Sequence, residues 1–160
     1  MGEATPVRAV GYELSSVGYA VSRGFKKALA DYDLDPREFG LLRDVEMKEG
    51  QSQQGLAHAL QIPPSRIVAI VDGLERRGLI ERRAHASDRR VRELYLTDEG
   101  RSVIRAAYED ARAYEDRLTT HLTDKEREQL LELLDRVAAA LGIDSSATHT
   151  ALVDPEDSAA

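Results

Sequence analysis

The stretch formed by residues 62–97 constrains the fold more than any other part of this chain. Residues 65–77 predict a helix with a single apolar stripe, because apolar residues recur at spacings of three, one and three. That stripe consists of Ile67, Ile70, Val71 and Leu74. Gly78 follows where a left-handed residue commonly ends a helix. Partial alternation of apolar and polar residues then predicts two strands, 79–83 and 91–96, on either side of a basic loop.

A shorter helix is predicted just before this stretch. Ser52 is a suitable N-cap for residues 53–60, which would bury Leu56, Ala57 and Leu60. Pro63-Pro64 then resets the backbone before the second helix. Two helices joined by a tight bend indicate a helix-turn-helix, and a basic β-loop directly after it indicates a wing.

Further helices are predicted on both sides of this lobe. Periodicity indicates one over about residues 10–31, and Asp35, Pro36 and Glu38 form an N-terminal capping pattern for the next. That helix would turn inward Phe39, Leu41, Leu42 and Val45 and end at Gly50. Thr97 would cap a long helix that reaches about residue 121. A capping box of Thr123 and Glu126 would open the last helix, which stops at Gly142.

The last helix carries a broad apolar face for which a single small domain offers no obvious cover. Its members are Leu130, Leu131, Leu133, Leu134, Val137 and Leu141. We assign this face to a subunit interface. The alternative is packing within the chain against the first helix.

The net charge of −7 conceals an uneven distribution. Residues 62–101 carry nine basic and seven acidic groups, whereas residues 102–160 carry six and thirteen. Five of the basic groups are arginines within residues 82–92, against one Asp, so the local field there suits a polyanion. The chain has no Cys, which excludes disulfides and thiol chemistry. No apolar run approaches the length of a membrane span, so we expect a cytoplasmic location.

The predicted recognition helix would present its first outward positions to base edges in the major groove. These positions are Ser65, Arg66, Val68 and Ala69. Arg66 could bond bidentately to guanine, although a solvated helix residue is the plainer alternative. In the wing, Arg89 and Arg90 could enter the minor groove while Asp88 orients a guanidinium, or Asp88 could form an ordinary surface pair. Phosphate contacts are expected from Arg76, Arg77, Arg82 and Arg83, and His85 is expected to belong to the wing.

Several motifs together resemble the multiple antibiotic resistance regulator (MarR) family across about residues 10–141. They are Leu74-Glu75-x-x-Gly78-Leu79-Ile80-x-Arg82, then Asp88-x-Arg90, then Leu96-Thr97-x-x-Gly100. The resemblance implies a homodimer of winged helix-turn-helix lobes that binds a pseudo-palindromic operator in double-stranded DNA, usually as a repressor. It also implies release by a small aromatic or anionic effector, bound between the dimer helices and the DNA lobe. Asp88 and Arg90 would be the family's wing pair.

The expected fold is therefore mainly α with a small β-wing (α+β), a winged helix-turn-helix lobe with a helical dimerisation domain. The expected plan is a disordered arm (1–9), a dimerisation region (10–34 and 98–142), a DNA-binding lobe (35–97) and a disordered tail (143–160). Candidate effector contacts, chosen as aromatic or cationic groups near the expected cleft, are Tyr12, Tyr19, Phe39 and Arg43. Departures from the family pattern are Gly55, which replaces an acidic or helix-forming residue, and Val68 and Ala69, which replace polar and basic ones. The last two shift direct readout towards Arg66 and the wing. The absence of Cys excludes the family's peroxide sensing.

Other classes of function find less support in the residues. His58, His85, His121 and His149 show no metal-ligand spacing, so no metal or cofactor is predicted. No catalytic triad order, phosphate loop or carboxylate pair points to an enzyme. A winged-helix protein-interaction module without DNA binding remains the alternative, although such a module has no need of Arg89 and Arg90 at the wing tip.

Overall fold

The computed structural model describes residues 9–60, 62–85, 87 and 91–143. This part of the chain is mainly helical with one two-stranded antiparallel sheet, as the sequence predicted. In chain order the elements are α1 Val10–Ala28, the 3₁₀ turn Ala30–Tyr32, α2 Pro36–Met47, α3 Gln53–Ala59, α4 Pro64–Arg76, β1 Ile80–Ala84, β2 Arg92–Leu96, α5 Asp98–Leu118 and α6 Asp124–Ala140. The predicted disordered arm and tail fall outside the described residues, except for Ala9 and Ile143.

Helices begin where local side-chain chemistry predicts. The Asp35 carboxylate accepts hydrogen bonds from the backbone N–H groups of Arg37 and Glu38, and the Glu38 carboxylate accepts one from the Asp35 N–H. This is a complete capping box with Pro36 at the first helical position. The box of Thr123 and Glu126 is also complete, and its hydrogen bonds lower the pKa of the Glu126 carboxyl. Both starts are confirmed because each needs only residues three apart.

Helix ends are less regular than their starts. α1 ends at Ala28 instead of residue 31, because the chain tightens into the 3₁₀ turn and then takes a left-handed conformation at Asp33 (φ 51°). α5 ends at Leu118 instead of residue 121; there the Thr119 hydroxyl and N–H both donate to the Glu115 carbonyl. Gly78 has φ +70°, as its predicted position after the recognition helix requires.

The hydrophobic core lies in the winged lobe. α2 contributes Phe39, Leu41, Leu42 and Val45, all buried as predicted, and α3 contributes Leu56 and Ala57. Three residues of the predicted α4 stripe are fully buried, and the fourth, Ile70, is partly buried. Ile104 and Ala107 are also buried, so the first half of α5 packs into the lobe.

A close backbone contact joins the wing to the start of α5. The Thr97 side chain caps α5 by accepting from the Gly100 N–H, and its hydroxyl donates to the Gly78 carbonyl at 2.6 Å. A Cβ atom at Gly100 would overlap the carbonyl oxygen of Leu79. The Thr97-x-x-Gly100 motif is therefore a packing requirement, because the helix start must lie directly against the backbone of Leu79, which leads into β1.

The flanking helices leave apolar side chains on the surface of the single chain. Neither α1 nor α6 has a buried residue. Leu131, Leu133 and Leu141 on or just after α6 are 57%, 54% and 70% exposed, and Val10 and Val17 on α1 are similarly open. The alternative in which the α6 face packs inside the chain is therefore not observed. Within the described ranges, none of the helices has the length and apolar character needed to cross a membrane.

Candidate nucleic-acid interface

The first turns of α4 present a small, solvent-facing surface. Pro63 and Pro64 set the entry of the helix, and its rotation is fixed by the buried side chains of Ile67, Val71 and Leu74. On the opposite side the predicted base-facing positions Ser65, Val68 and Ala69 are exposed, and Arg66 is half-buried. A surface of small side chains beside one guanidinium can approach a groove floor closely.

The wing is a short antiparallel hairpin that follows α4 directly. Its register pairs Ile80 with Leu96 and Ala84 with Arg92. Ser52 bridges to Glu93 on the outer side of β2, which ties the start of α3 to the sheet. Three predicted wing-tip residues, Asp88, Arg89 and Arg90, lie outside the described residues.

Side chains on the outer face of the wing form an aromatic and charged cluster. The Arg83 guanidinium lies over the Tyr95 ring, 4.3 Å from its centroid, and also pairs with Glu81. The Tyr95 hydroxyl donates to Glu93 at 3.0 Å, and this hydrogen bond raises the pKa of Tyr95. His85 Nε2 lies 3.7 Å from the same carboxylate. Arg83 therefore sits more than half exposed but pre-oriented, as suits a phosphate contact.

Two of the predicted phosphate-contacting arginines point towards the protein. Arg82 pairs with Asp72 and Glu75 on α4, and its side chain is only 18% exposed. Arg77 pairs with Glu38 at 3.0 Å and donates to the carbonyl of Tyr32. These contacts give both side chains intrachain roles that the sequence did not indicate, and phosphate contact by them stays a prediction. Arg76, in contrast, is exposed.

The Arg77 contacts belong to a joint between the flanking helices and the lobe. Arg77 also donates to the Asp33 carbonyl, so it holds the left-handed turn between α1 and α2. On the other side of that turn, the Tyr32 hydroxyl donates to the Asp110 carboxylate of α5 at 2.6 Å. This hydrogen bond is the main cause that raises the pKa of Tyr32 to about 12. The joint thus connects the end of the recognition helix to α5.

A cavity of about 580 Å³ opens between α2 and α5. Its lining combines apolar and charged side chains: Arg43, Glu46, Met47, Ile104, Arg105, Tyr108, Glu109 and Arg112. Of the four predicted effector contacts, Arg43 lines this cavity, and its buried Nε has no hydrogen-bond partner among the residues that the structure describes. Phe39 lies beneath the cavity wall, with its ring centroid 5.9 Å from that of Tyr108. Tyr12 and Tyr19 are exposed on α1 and do not line it.

The cavity residues on α5 were missed by the sequence reasoning. Arg105, Tyr108 and Arg112 recur at spacings of three and four, which places them on one face of the helix. The sequence shows that spacing, but the prediction of a dimerisation region over residues 98–142 does not separate this face from the rest of α5. Asp44 follows Arg43 in the chain and does not line the cavity; it is partly buried, and this burial raises the pKa of its carboxyl.

Comparison with known proteins agrees with this architecture. A profile of the MarR family matches residues 32–91, which include α2, α3, α4 and β1. The HTH-type transcriptional regulator PecS of Dickeya dadantii is 30% identical over 135 residues, covering 82% of this chain and 81% of PecS.

Two solved structures of the protein CouR are also similar. The transcriptional repressor CouR bound to a 23-mer DNA duplex matches with a TM-score of 0.75 and 33% identity, over 86% of this chain and 98% of CouR. CouR from Rhodococcus jostii RHA1 bound to p-coumaroyl-CoA matches with a TM-score of 0.69 and 33% identity, over 82% and 92%. Each alignment spans more than four-fifths of both chains, so the likeness extends well beyond the winged lobe.

Proposed function

This chain belongs to the MarR family of transcriptional regulators, and we propose that it is a homodimeric, ligand-released repressor that binds a pseudo-palindromic operator in double-stranded DNA. The observation that carries the proposal is the exposed start of α4 beside an arginine-bearing wing. CouR, which has the same fold at 33% identity, is a repressor with a DNA-bound structure. We place the protein in the cytoplasm, where a bacterial-type regulator of this family meets its DNA, and assign it no enzymatic activity.

In this proposal α4 enters the major groove and the wing follows the adjacent backbone. Ser65, Arg66, Val68 and Ala69 face the bases, and Arg66 supplies the hydrogen bonds that discriminate guanine. Arg76, Arg83 and His85 are the proposed phosphate contacts, and Asp88, Arg89 and Arg90 are proposed to contact DNA from the predicted wing tip. Apolar Val68 and Ala69 favour contact with a thymine methyl group over polar readout.

The proposed dimer is supported by the exposed apolar side chains of α1 and α6. A soluble monomer rarely leaves so many leucines of one helix open to water. A second copy that covers both helices would bury this face and place two α4 helices on one side of the dimer. Two recognition helices about one DNA turn apart then require a pseudo-palindromic operator.

The proposed effector site is the cavity between α2 and α5. Arg43, Arg105 and Arg112 can bind a carboxylate or phosphate, and Ile104 and Tyr108 can contact an aromatic ring. CouR bound to p-coumaroyl-CoA shows that a relative at 33% identity takes an aromatic, anionic ligand. We propose a ligand of that chemical class, in contact with Arg43 and resting on the wall that Phe39 supports. Tyr12 and Tyr19 remain candidate contacts in the assembled dimer.

The DNA part of the proposal is tested by the salt dependence of binding. Duplexes recovered by the protein from a randomised library should bind with log K falling linearly as log [salt] rises, by about 0.9 for each phosphate neutralised. A salt-insensitive response, or failure to enrich any sequence, would refute DNA binding and favour a protein-interaction module.

The ligand part is tested separately with p-coumaroyl-CoA and p-coumarate as probes. A ligand present at 100 times its dissociation constant stabilises the native state by about 2.7 kcal/mol, which thermal unfolding detects. Binding should also release the duplex, and Arg43→Ala should weaken the thermal shift. Failure of both probes and of other aromatic acids to shift unfolding would remove the effector from the proposal while leaving DNA binding intact.

A further inference from the structure

Arg82 occupies the point where the wing meets both helices of the helix-turn-helix. Its Nη1 and Nη2 groups pair with Glu75 and Asp72 of α4, and its Nε donates to the Gln53 side chain of α3 at 3.2 Å. The Arg82 backbone N–H also donates to Glu75, at 3.3 Å. One guanidinium therefore joins three secondary-structure elements, and the donors of Arg82 are directed at the protein.

Adjacent residues on the same strand contrast with this arrangement. Arg83 is 56% exposed and pairs with Glu81 on its own strand, whereas Arg82 is 18% exposed. Successive strand residues point to opposite faces, so one arginine turns to solvent and the other to α4. Beyond Arg82, Ala84 is exposed, which makes Arg82 the last side chain of β1 held by the helices before the wing loop.

A second attachment, which does not involve Arg82, joins the wing to the rest of the lobe. The Leu94 N–H donates to the Gln51 carbonyl, and the Gly50 N–H donates to the Leu94 carbonyl, each at 3.0 Å. Leu94 and Leu96 are buried in the core. The second strand is thus anchored by backbone and core contacts. The first strand is buried at its start through Ile80, and further along it Arg82 is the side chain that joins it to α3 and α4. An isolated hairpin has little rigidity of its own, so such an anchor matters.

We propose that Arg82 is a positioning residue for DNA binding, which fixes the angle between the wing and the recognition helix through Asp72 and Glu75. The inference rests on the proposed function, because its main consequence is for DNA affinity. Asp72 and Glu75 are acidic residues on the helix that approaches a polyanion, and simple electrostatics predicts that neutralising them tightens binding. The contacts of Arg82 with Asp72 and Glu75, called the Arg82 clamp below, predict weaker binding instead. Without its carboxylate partners, Arg82 no longer holds the wing at a fixed angle to α4.

The first test compares isosteric neutral variants of the full-length protein on a duplex that the wild type selects from a randomised library. Glu75→Gln and Asp72→Asn should each weaken binding by about fivefold, the loss expected for one partly exposed charged contact. The control Glu81→Gln removes a similarly exposed acid that pairs with Arg83, and it should leave binding unchanged or tighter. Tighter binding by the Glu75 and Asp72 variants would overturn the proposal.

Two further variants separate positioning from direct phosphate contact. The double variant Arg82→Gln with Glu75→Gln should bind no more weakly than Arg82→Gln alone, because the two substitutions remove the same Arg82–Glu75 interaction. Arg82→Lys should bind nearly as weakly as Arg82→Gln, since an ammonium group cannot span three partners. Full rescue by lysine would instead indicate a phosphate contact, which a point charge satisfies, and would refute the clamp.

Amide hydrogen exchange measured without DNA tests the Arg82 clamp separately from the proposed DNA binding. In Arg82→Gln, exchange of the Arg83 amide, which the register directs at Glu93 of β2, should accelerate by about fivefold while the β2 amide of Leu94 and the amides of α4 stay protected. If the wild type binds no DNA but this acceleration occurs, the clamp stands and the proposed function fails. If the wild type binds DNA and Arg82→Gln changes neither exchange nor affinity, the clamp fails alone.

Discussion

Leu94 and Leu96, on the second strand of the wing, are buried within their own chain, whereas Leu131 and Leu133 on α6 are each more than half exposed. Leucine side chains are thus buried in the winged lobe but exposed to solvent on the flanking helices of the single chain. The lobe closes its own core with α2, α3, α4, the sheet and the first half of α5. The flanking helices have exposed apolar faces, which a second copy covers in the proposed dimer. Folding of the lobe and assembly of the dimer should therefore respond to different substitutions.

The largest effect is expected from Leu134→Asp in the exposed face of α6. A carboxylate at the proposed interface would lie unpaired in an apolar environment and should cost the dimer about 3–5 kcal/mol. Sedimentation should detect monomers, and DNA binding should fall with them, while the lobe stays folded.

The matched control for this variant is Lys125→Gln. It makes the same unit change in charge on the opposite side of the helix, given 3.6 residues per turn. This variant should remain dimeric. An intact Leu134→Asp dimer would show that α6 does not carry the interface and would end the contrast between the two regions.

Gly100→Ala should act on the lobe instead of the dimer. Its Cβ would overlap the Leu79 carbonyl, and because that obstacle is backbone, we expect a loss of about 3 kcal/mol, the upper end of the range for overpacking. Urea unfolding measures this. Gly73→Ala, where the added Cβ meets only the Arg76 guanidinium at an ordinary 3.9 Å, should be neutral or stabilising. Equal stability of the two variants would contradict the close packing of α5 on the Leu79 backbone.

Arg66→Ala should change sequence discrimination while leaving both folding and dimerisation intact. Loss of a bidentate guanine contact costs about 1–3 kcal/mol of preference for the correct base. Selection from a randomised library should then recover a motif degenerate at one position in each half-site. Arg76→Ala is the comparison, because a phosphate contact weakens all sequences alike. Undiminished stringency in Arg66→Ala would remove this residue from base readout.

The smallest effect is expected at the joint between the two regions. Tyr32→Phe removes the hydroxyl that donates to Asp110. The pKa of Tyr32 is raised in the folded state to about 12, so its stabilising contribution is complete below about pH 10 and disappears as pH rises through 12.

The stability difference between wild type and Tyr32→Phe should therefore be constant from neutral pH to about pH 10 and vanish near pH 12. Urea unfolding at several pH values gives this difference, with Tyr12→Phe as a control for loss of a tyrosine hydroxyl on α1. A difference that does not decline between pH 10 and 12 would show that the hydrogen bond to Asp110 does not contribute to stability.

Much of the fold was predictable because its signals are local. The capping boxes at Asp35 and Thr123, the turn at Gly78 and the apolar stripe of α4 each depend on residues within one or two helical turns. Helix ends were less predictable. The chain changes direction after α1 at the left-handed Asp33, and that turn is held by Arg77, which is distant in sequence.

Some candidate site residues were likewise predictable from local periodicity, whereas others depend on which elements pack together. Ser65, Val68 and Ala69 were predicted to face outward from periodicity alone, and they are exposed. The cavity between α2 and α5 was only partly anticipated, through Arg43, because Arg105, Tyr108 and Arg112 become cavity residues only when α5 packs beside α2. Spacing gives the face of a helix but not the element that the face meets.

The sequence by itself determined the order of the helices, the position of the wing and the charge that points to DNA, because capping, periodicity and local charge act over a few residues. Only the tertiary structure decided which arginines of a basic segment remain for a ligand. Arg82 and Arg83 are neighbours with the same chemistry, yet one is held by α3 and α4 and the other faces solvent. Likewise Tyr32 and Asp110, 78 residues apart, meet only because α5 packs against the joint. Such pairings follow from packing, and packing is a property of the assembled fold.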